Sequence, residues 1–186
     1  MFNVKVYLQS RHFLTGNPDA ETVHSPSHRK RAGVIKKIIS GGQTGADRAG
    51  LDFAIANGVP HGGWCPAGRF AEDGKIPKRY ALRETPGANY PERTEFNVRD
   101  SDGTVIFSLA GELAGGSRLT YWMAIKHRKP CLHISKERDG SAAREKLREF
   151  ILRNRINTLN VAGPRASTEP AIGRFTKEVL AAVLKE

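Results

Sequence analysis

The sequence has little of what marks a disulfide-rich, zinc-binding or membrane protein. Its 186 residues include two cysteines, Cys65 and Cys131, which lie far apart and without CxxC spacing. Neither a disulfide framework nor a structural zinc site is therefore indicated. No apolar run approaches the roughly 20 residues that a membrane-spanning helix needs, and the first ten residues lack the apolar length and cleavage site of a signal peptide. We therefore expect a cytoplasmic protein with reduced thiols and no membrane partner.

Both common nucleotide-binding fingerprints are missing as well. The chain has no GxxxxGK[ST] sequence, and its GGQTGA segment (41–46) does not fit GxGxxG in register. A P-loop ATPase and a conventional NAD dehydrogenase are therefore disfavoured. No combination of residues supplies a nucleophile, a base and an orienting group in a recognisable arrangement. The sequence thus favours a ligand-binding protein over an enzyme, and we assign no catalytic residue.

Acidic residues are outnumbered by basic ones. The chain has 30 Lys and Arg residues against 19 Asp and Glu, which gives a formal net charge of +11 and a pI near 10.0. Such a balance favours anionic partners, namely nucleic acid, a phosphorylated metabolite or an oxyanion. The basic residues are scattered rather than grouped in blocks, so a solvated basic surface is the competing explanation.

The chain divides into an extension and one domain. Residues 1–33 are polar, rich in turn formers and without periodicity, which predicts a flexible N-terminal extension. From 34 to 186, short apolar strands alternate with helices, which predicts right-handed crossovers and a mostly parallel sheet covered on both faces. We therefore expect an α/β fold, a Rossmann-like three-layer α/β/α sandwich. The predicted strands are 34–40, 59–65, 80–85, 104–109, 131–135 and 157–162, and the predicted helices are 46–57, 91–99, 117–127, 141–155 and 170–184.

Three strand-to-helix junctions of this domain share one design, in which glycines stand beside a possible Ser or Thr helix cap and an arginine. In a parallel sheet all three loops leave the carboxyl edge and converge near the topological switch point. Helix N-termini and arginines there suit a phosphate group, whereas tight turns with solvated arginines are the plainer explanation. The predicted phosphate-binding residues are Gly41, Gly42, Gln43, Thr44, Gly45, Asp47 and Arg48 in the first junction, Gly115, Gly116, Ser117, Arg118 and Thr120 in the second, and Gly163 and Arg165 in the third.

A few further residues allow both a functional and a structural interpretation. Trp64 can stack on a planar heterocycle or belong to the core. His61 and Cys65 have a spacing that can ligate a metal, but two ligands do not make a site, so we predict no metal. Glu72 and Asp73 can form a paired carboxylate site or an ordinary Asp-Gly turn.

Four segments resemble a known family: ISGGQTGADRAGLDFAIANGVPHGGWCPAGRFAEDGKIP (39–77), YALRETP (80–86), RTEFNVRDSDGTVIFS (93–108) and GGSRLT (115–120). Together they are similar to the putative molybdenum carrier family, which is the circularly permuted YpsA-like branch of the SLOG superfamily. The resemblance runs from about Ile38 to the C-terminus. It implies a Rossmann-like fold, a homo-oligomer, and a glycine-loop site for the molybdenum cofactor (molybdopterin) or another nucleotide-like phosphorylated ligand.

The resemblance also implies ligand-contacting positions outside the glycine loops. Arg93 and Asn97 lie one turn apart on one face of the predicted helix 91–99, which suits a ligand-facing pair. The positions of this kind are Trp64, Glu84, Tyr90, Arg93, Asn97 and Asp102.

Two alternative functions stay open. The SLOG superfamily also contains phosphoribohydrolases with a PGGxGTxxE signature. The matching segment here, AGGSRLTYW (114–122), lacks the leading Pro, the Gly in the second half of the signature and the Glu. A hydrolase of nucleotide derivatives would have to use Asp47 or Glu112 as acid or base. A single-stranded nucleic-acid binder is the other alternative, because of the net positive charge and a similar loop in DNA-processing members of the superfamily.

Overall fold

The computed structural model describes residues 35–181. The predicted flexible extension (1–33) and the last residues of the final predicted helix lie outside the described residues. None of the described helices is both long and apolar enough to span a membrane.

Strands and helices alternate along the described chain, as the sequence predicts. The strands are β1 (Lys37–Ile39), β2 (His61–Gly62), β3 (Trp64–Cys65), β4 (Phe70–Ala71), β5 (Gly74–Lys75), β6 (Arg83–Glu84), β7 (Gly103–Ser108), β8 (Cys131–Ser135) and β9 (Thr158–Ala162). The α-helices are α1 (Ala46–Ala56), α2 (Tyr90–Arg99), α3 (Gly115–Lys126), α4 (Lys136–Asp139), α5 (Ala143–Asn154) and α6 (Ile172–Leu180), with a 3₁₀ turn at Gly140–Ala142.

Five parallel strands form the central sheet, in the order β2-β1-β9-β7-β8. Helices α1, α5 and α6 pack together on one face, and α2 and α3 pack together on the other. All six residues of β7 are buried, because its β-branched run lies between two helical layers. The predicted α/β Rossmann-like sandwich with a mostly parallel sheet is confirmed.

The order of the strands is that of a circular permutation. Counted along the chain, the five strands of the main sheet lie in the order 2-1-5-3-4. If β9 came first in the chain, the same sheet would have the order 3-2-1-4-5, which is the standard doubly wound arrangement. The last strand therefore takes the central position of the usual first strand, and the topological switch point lies between β9 and β7.

Two predicted strands differ from the structure. The predicted strand 59–65 is divided into β2 and β3 by Gly63, whose φ of 124° and close approach to the Ser40 backbone leave no room for a side chain. The predicted strand 80–85 is reduced to β6, which pairs with β3 in a separate two-stranded sheet. The main sheet therefore has five strands rather than the expected six.

The loop predicted between these strands contains an antiparallel hairpin of β4 and β5. Beneath it lies a small apolar cluster that includes Leu51, Cys65 and Ile76, separate from the main core under the sheet. The hairpin is thereby fixed close to the carboxyl edge of the main sheet, where β1 ends.

Candidate functional site

A cavity of about 550 Å³ opens at the carboxyl edge of the sheet, next to the switch point between β7 and β9. Its walls come from the loop after β1, the first turn of α2, the β7–α3 connection and the loop after β9. In doubly wound folds this crevice is the usual ligand site. Its polar and aromatic lining consists of Gln43, Asp47, Tyr90, Arg93, Thr94, Ser108, Glu112, Ser117, Thr120, Arg165, Thr168 and Glu169.

The cavity brings together about half of the residues predicted from the sequence. Those that line it are Gln43, Asp47, Tyr90, Arg93, Gly115, Gly116, Ser117, Thr120, Gly163 and Arg165. Those that do not are Gly41, Gly42, Thr44, Gly45, Arg48, Trp64, Glu84, Asn97, Asp102 and Arg118.

Glycines of the first loop allow other parts of the protein to approach. Gly45 has a φ of 78°, and a Cβ there would lie 2.9 Å from the backbone nitrogen of Ala166 in the loop after β9. A Cβ on Gly41 would overlap the guanidinium of Arg93. These glycines do not line the cavity themselves, and they bring the loops and an arginine of α2 together beside it.

The loops around the cavity already hold carboxylates of the protein itself. A carboxylate that accepts a backbone N–H bond occupies the place that an external anion would need. The bonds of this kind are Gln43 N–H to Asp47 at 3.3 Å, Ser167 N–H to Glu72 at 3.1 Å, Leu109 N–H to Glu169 at 2.6 Å and Gly111 N–H to Glu137 at 2.7 Å. One N–H group of the first loop, one of the third loop and two of the β7–α3 connection are therefore occupied within the protein.

The N-terminus of α3 differs from the other loops in this respect. Its N-cap is Ala114, which provides no side-chain cap, and its first turn holds no acidic residue. A Cβ built on Gly115 or Gly116 would meet no other atom within 4 Å. Ser117 is only 6% exposed, yet its hydroxyl forms no hydrogen bond with any described residue. The N–H groups of Gly115 and Gly116 have no partner among the described residues, whereas those of Ser117 and Arg118 donate to the Ala114 carbonyl at 3.1 and 3.2 Å. This wall of the cavity therefore presents two free N–H groups, the Ser117 hydroxyl and a partial positive charge.

An ion pair between Asp47 and Arg93 forms the opposite wall. Asp47 is 3% exposed, and its Oδ2 lies 2.9 Å from Nη1 of Arg93. Burial raises the pKa of Asp47, while the charge of Arg93 opposes this shift. The Nε of Arg93 is buried without a partner within the described part of the chain. Arg93 therefore brings a cation to the cavity whose hydrogen-bonding capacity is only partly used.

Asn97, one turn further along α2, points to the protein rather than to the cavity. Its side-chain oxygen accepts the Trp64 N–H at 2.9 Å, and its amide donates to the Trp64 carbonyl at 2.9 Å. The Trp64 ring packs edge-on against Phe96, with centroids 5.1 Å apart. Both residues thus join α2 to β3.

The remaining predicted residues make contacts within the protein. Arg48 forms a forked ion pair with Asp73 of the hairpin and also donates to the Gly42 carbonyl at 3.1 Å. The hydroxyl of Thr44 donates to Glu72 and accepts the Ala166 N–H at 3.0 Å. Glu84 accepts the Gly68 N–H at 2.7 Å, and Asp102 accepts the N–H groups of Asn157 and Thr158 at 3.0 and 2.8 Å. Arg118 is the exception, because its side chain is exposed on α3.

Sequence reasoning missed a chain of hydrogen bonds that reaches the cavity through Ser108. Arg138 Nη2 lies 3.0 Å from Nδ1 of His133, whose Nε2 lies 2.6 Å from Oγ of Ser108. Arginine only donates, so Nδ1 accepts and Nε2 carries the proton. The Ser108 hydroxyl in turn donates to the Ala110 carbonyl at 2.7 Å. His133 therefore donates to Ser108 and is oriented wrongly for a general base.

Glu169 and Ser108 also line the cavity, and they differ in whether the sequence could have identified them. Glu169 stands just before Pro170 in the third junction, where an acidic residue at a helix start was a usable signal. Ser108 and His133 lie on neighbouring strands, and no local pattern relates them. Glu112, the acid or base of the hydrolase alternative, does line the cavity with Asp47.

The chain is similar in structure to a protein from Syntrophus aciditrophicus SB, whose crystal structure at 1.45 Å resolution is that of "Putative molybdenum carrier protein". The two share 49% sequence identity and superpose with a TM-score of 0.80. The similarity covers 83% of this chain and 98% of the other. No curated protein matches the chain.

The family model for the Circularly permutated YpsA SLOG family matches residues 38–184. This range contains every residue that lines the cavity and all five strands of the main sheet except Lys37, the first residue of β1. The strand order found here is the permuted order that the family description leads one to expect. The chain belongs to the circularly permutated YpsA SLOG family.

Proposed function

We propose that the protein binds a phosphorylated small molecule in the cavity, with the phosphate at the N-terminus of α3. The observation that carries this proposal is the set of free donors at the start of α3, namely the N–H groups of Gly115 and Gly116 and the hydroxyl of Ser117. Nearby N–H groups at Gln43 and Leu109 are already occupied by carboxylates of the protein. Arg93 and Arg165 line the same cavity and contribute positive charge. Backbone N–H groups, a hydroxyl and guanidinium groups together suit a phosphate dianion.

The proposed ligand is the molybdenum cofactor, with a nucleotide-like compound as the alternative. The name of the Syntrophus protein favours a molybdenum-containing cargo. Within residues 35–181 no group of three or more His, Cys, Asp or Glu residues could hold a metal ion. The chain therefore fits the organic part of such a cofactor, and the metal would stay on the cofactor's own ligands. Tyr90, which is 41% exposed at the cavity, offers a ring face for a planar heterocycle.

A charge placed at Gly116 tests this site without disturbing the fold. Because the position is open, Gly116→Asp leaves packing intact, and an acidic residue is favourable in the first turn of a helix. The carboxylate would repel a phosphate, so we expect ligand affinity to fall by at least about tenfold, which corresponds to 1.4 kcal/mol. Gly116→Asn is the matched control, since it has nearly the same shape without the charge, and it should retain most of the binding.

The measurement is native mass spectrometry of protein purified without added ligand, with fluorescence of the released material. A bound mass that matches a pterin phosphate or its oxidised product, present in the Asn variant and lost in the Asp variant, supports the proposal. An equal ligand content in both variants, or a bound molecule without a phosphate, would contradict it. If the purified protein is empty and binds ADP-ribose but no pterin, the proposed phosphate site is still supported, but the molybdenum cofactor is contradicted as its ligand.

A further inference from the structure

A second cavity lies between the edge strand β8 and helices α4 and α5. Its volume is about 520 Å³, and it shares no lining residue with the candidate site. Lys146, Glu149, Phe150 and Arg153 follow one another along one face of α5, so this cavity extends for about 10 Å along the helix. We call it the α4–α5 groove; its lining is Leu132, His133, Arg138, Asp139, Lys146, Glu149, Phe150, Arg153 and Asn154.

Cations predominate among the charged groups of the groove. Arg138, Lys146 and Arg153 face two carboxylates, Asp139 and Glu149. Asp139 is 7% exposed, and its carboxylate is already occupied by Lys146 Nζ at 2.5 Å and by the N–H of Ser135 at 2.7 Å. Arg153 is exposed and forms no ion pair within residues 35–181. The groove therefore keeps two guanidinium groups with unused donors, Arg138 near one end and Arg153 near the other.

The floor of the groove between these cations is apolar. Leu132 of β8 and Phe150 of α5 are both half-buried, so one side of each remains open. One side of the Phe150 ring packs against Gly103, because a Cβ built on Gly103 would lie 3.3 Å from Cζ of Phe150. A fixed aromatic face between two arginines suits a ligand that combines an anionic group with an apolar body.

We propose that the α4–α5 groove is a second binding site, for a small organic anion whose apolar body lies on Phe150 and whose anionic group is held by Arg153, while Arg138 contributes positive charge from the other end of the groove. A carboxylate and a phosphomonoester share the required chemistry, since guanidinium groups bind both in a forked manner. The site is built from residues that the candidate function does not use.

Helix α4 connects this groove to the candidate site. Glu137 donates its N–H to the Leu109 carbonyl at 3.1 Å and accepts the Gly111 N–H at 2.7 Å. Arg138, the next residue, lines the groove and holds His133, which donates to Ser108 at the cavity. The β7–α3 loop that leads to Gly115 is therefore held by the helix that an anion in the groove would contact. Occupancy of the groove is expected to change affinity at the candidate site; this coupling, unlike the binding itself, rests on the proposed function.

The test is a titration of the protein with phenyl phosphate, benzoate and phenol, followed by the backbone amide resonances in NMR spectra. Phenyl phosphate or benzoate, or both, should shift the amides of Leu132, His133 and Phe150, and phenol should not. Arg153→Gln should weaken this binding at least tenfold, and Arg153→Lys should retain part of it. Arg144→Gln is the matched control, because Arg144 is also exposed on α5 but does not line the groove.

The two sites give separate readouts in this experiment. Shifts confined to Gly115–Ser117, an unchanged affinity in Arg153→Gln, or equal shifts with phenol would overturn the groove proposal without touching the proposed function. Shifts at the groove with none at Gly115–Ser117 for phenyl phosphate would support the groove and count against the phosphate site. Response to one anion alone would identify which of the two classes the groove accepts.

Discussion

The Asp47–Arg93 ion pair shows how single residues build the candidate site. The two charges come from α1 and α2, meet at 2.9 Å, and fit only because Gly41 has no side chain in the space that the guanidinium fills. Asp47 also accepts the Gln43 N–H, so one carboxylate orients both a loop and an arginine. Its role in the structure is to hold Arg93 at the cavity wall.

Asp47→Asn should destabilise the protein because it leaves the Arg93 cation without a counter-charge. Breaking a buried pair typically costs about 3–5 kcal/mol, and we expect roughly 2–3 kcal/mol here because Arg93 retains some access to the cavity. Urea denaturation measures the difference. Glu178→Gln, which breaks an exposed pair with Arg174, is the control and should change stability by less than about 1 kcal/mol. Equal effects of the two substitutions would argue against a buried ion pair.

His133 should make stability depend on pH. Burial, together with the charge of Arg138, lowers the pKa of His133 below the ordinary value of 6.5. As the pH falls, His133 therefore takes up a proton at a higher pH in the unfolded chain than in the folded protein. The contribution of neutral His133 to the free energy of unfolding is fully present above pH 6.5, and it is lost as the pH falls through the lower pKa of the folded state.

The measurement is the urea midpoint of the protein and of His133→Asn between pH 8 and pH 5. The loss of stability on acidification should be smaller in the variant, and NMR titration of the imidazole should give a midpoint below 6.5. An equal acid response in both proteins would contradict the lowered pKa of His133.

At the scale of elements, two helical glycines should respond in opposite ways to the same substitution. Gly50 brings α1 against β9, where a Cβ would lie 2.8 Å from Val161, so Gly50→Ala should destabilise by about 1–3 kcal/mol through overpacking. Gly116 in α3 faces open space, so Gly116→Ala should stabilise by about 0.5–1 kcal/mol through helix propensity. Thermal and urea unfolding of both variants measure the two signs. A stabilising Gly50→Ala would show that α1 can move away from β9.

The elements with strong local patterns could be predicted from the sequence, whereas the contacts between loops could not. The expected strand 104–109 is found as Gly103–Ser108, and the expected helix 46–57 as Ala46–Ala56. The carboxylates that fill the loop N–H groups come from distant positions: Glu72 precedes Ser167 by 95 residues. No local pattern encodes such a pairing, so the sequence could not show which N–H groups of the three predicted loops are already occupied within the protein.

At the scale of the whole molecule, the homo-oligomer that the family resemblance implies is still a prediction, and exposed apolar side chains of α3 suggest where to test it. Tyr121 and Trp122 are adjacent and 39% and 59% exposed, and Ile125, one turn further along the helix, is 48% exposed. We expect the protein to self-associate through this face, and Trp122→Glu to shift it toward a monomer in light scattering. Ile55→Glu, at an isolated exposed side chain of α1, should leave the assembly unchanged. If the unmodified protein is a monomer, the predicted self-association is wrong. This outcome has no bearing on ligand binding.

The permuted order of the strands has a consequence for how the molecule is made. The central strand β9 is the last of the sheet to leave the ribosome, and its neighbour β1 is among the first, with Ser40 and Val161 joined across 121 positions. Until β9 emerges, β1 and β7 have no common partner, and the rear wall of the cavity does not exist. Contacts of such sequence separation slow folding. If the cavity binds a ligand as proposed, we expect a nascent chain to bind it only after β9 has emerged and the cavity is complete.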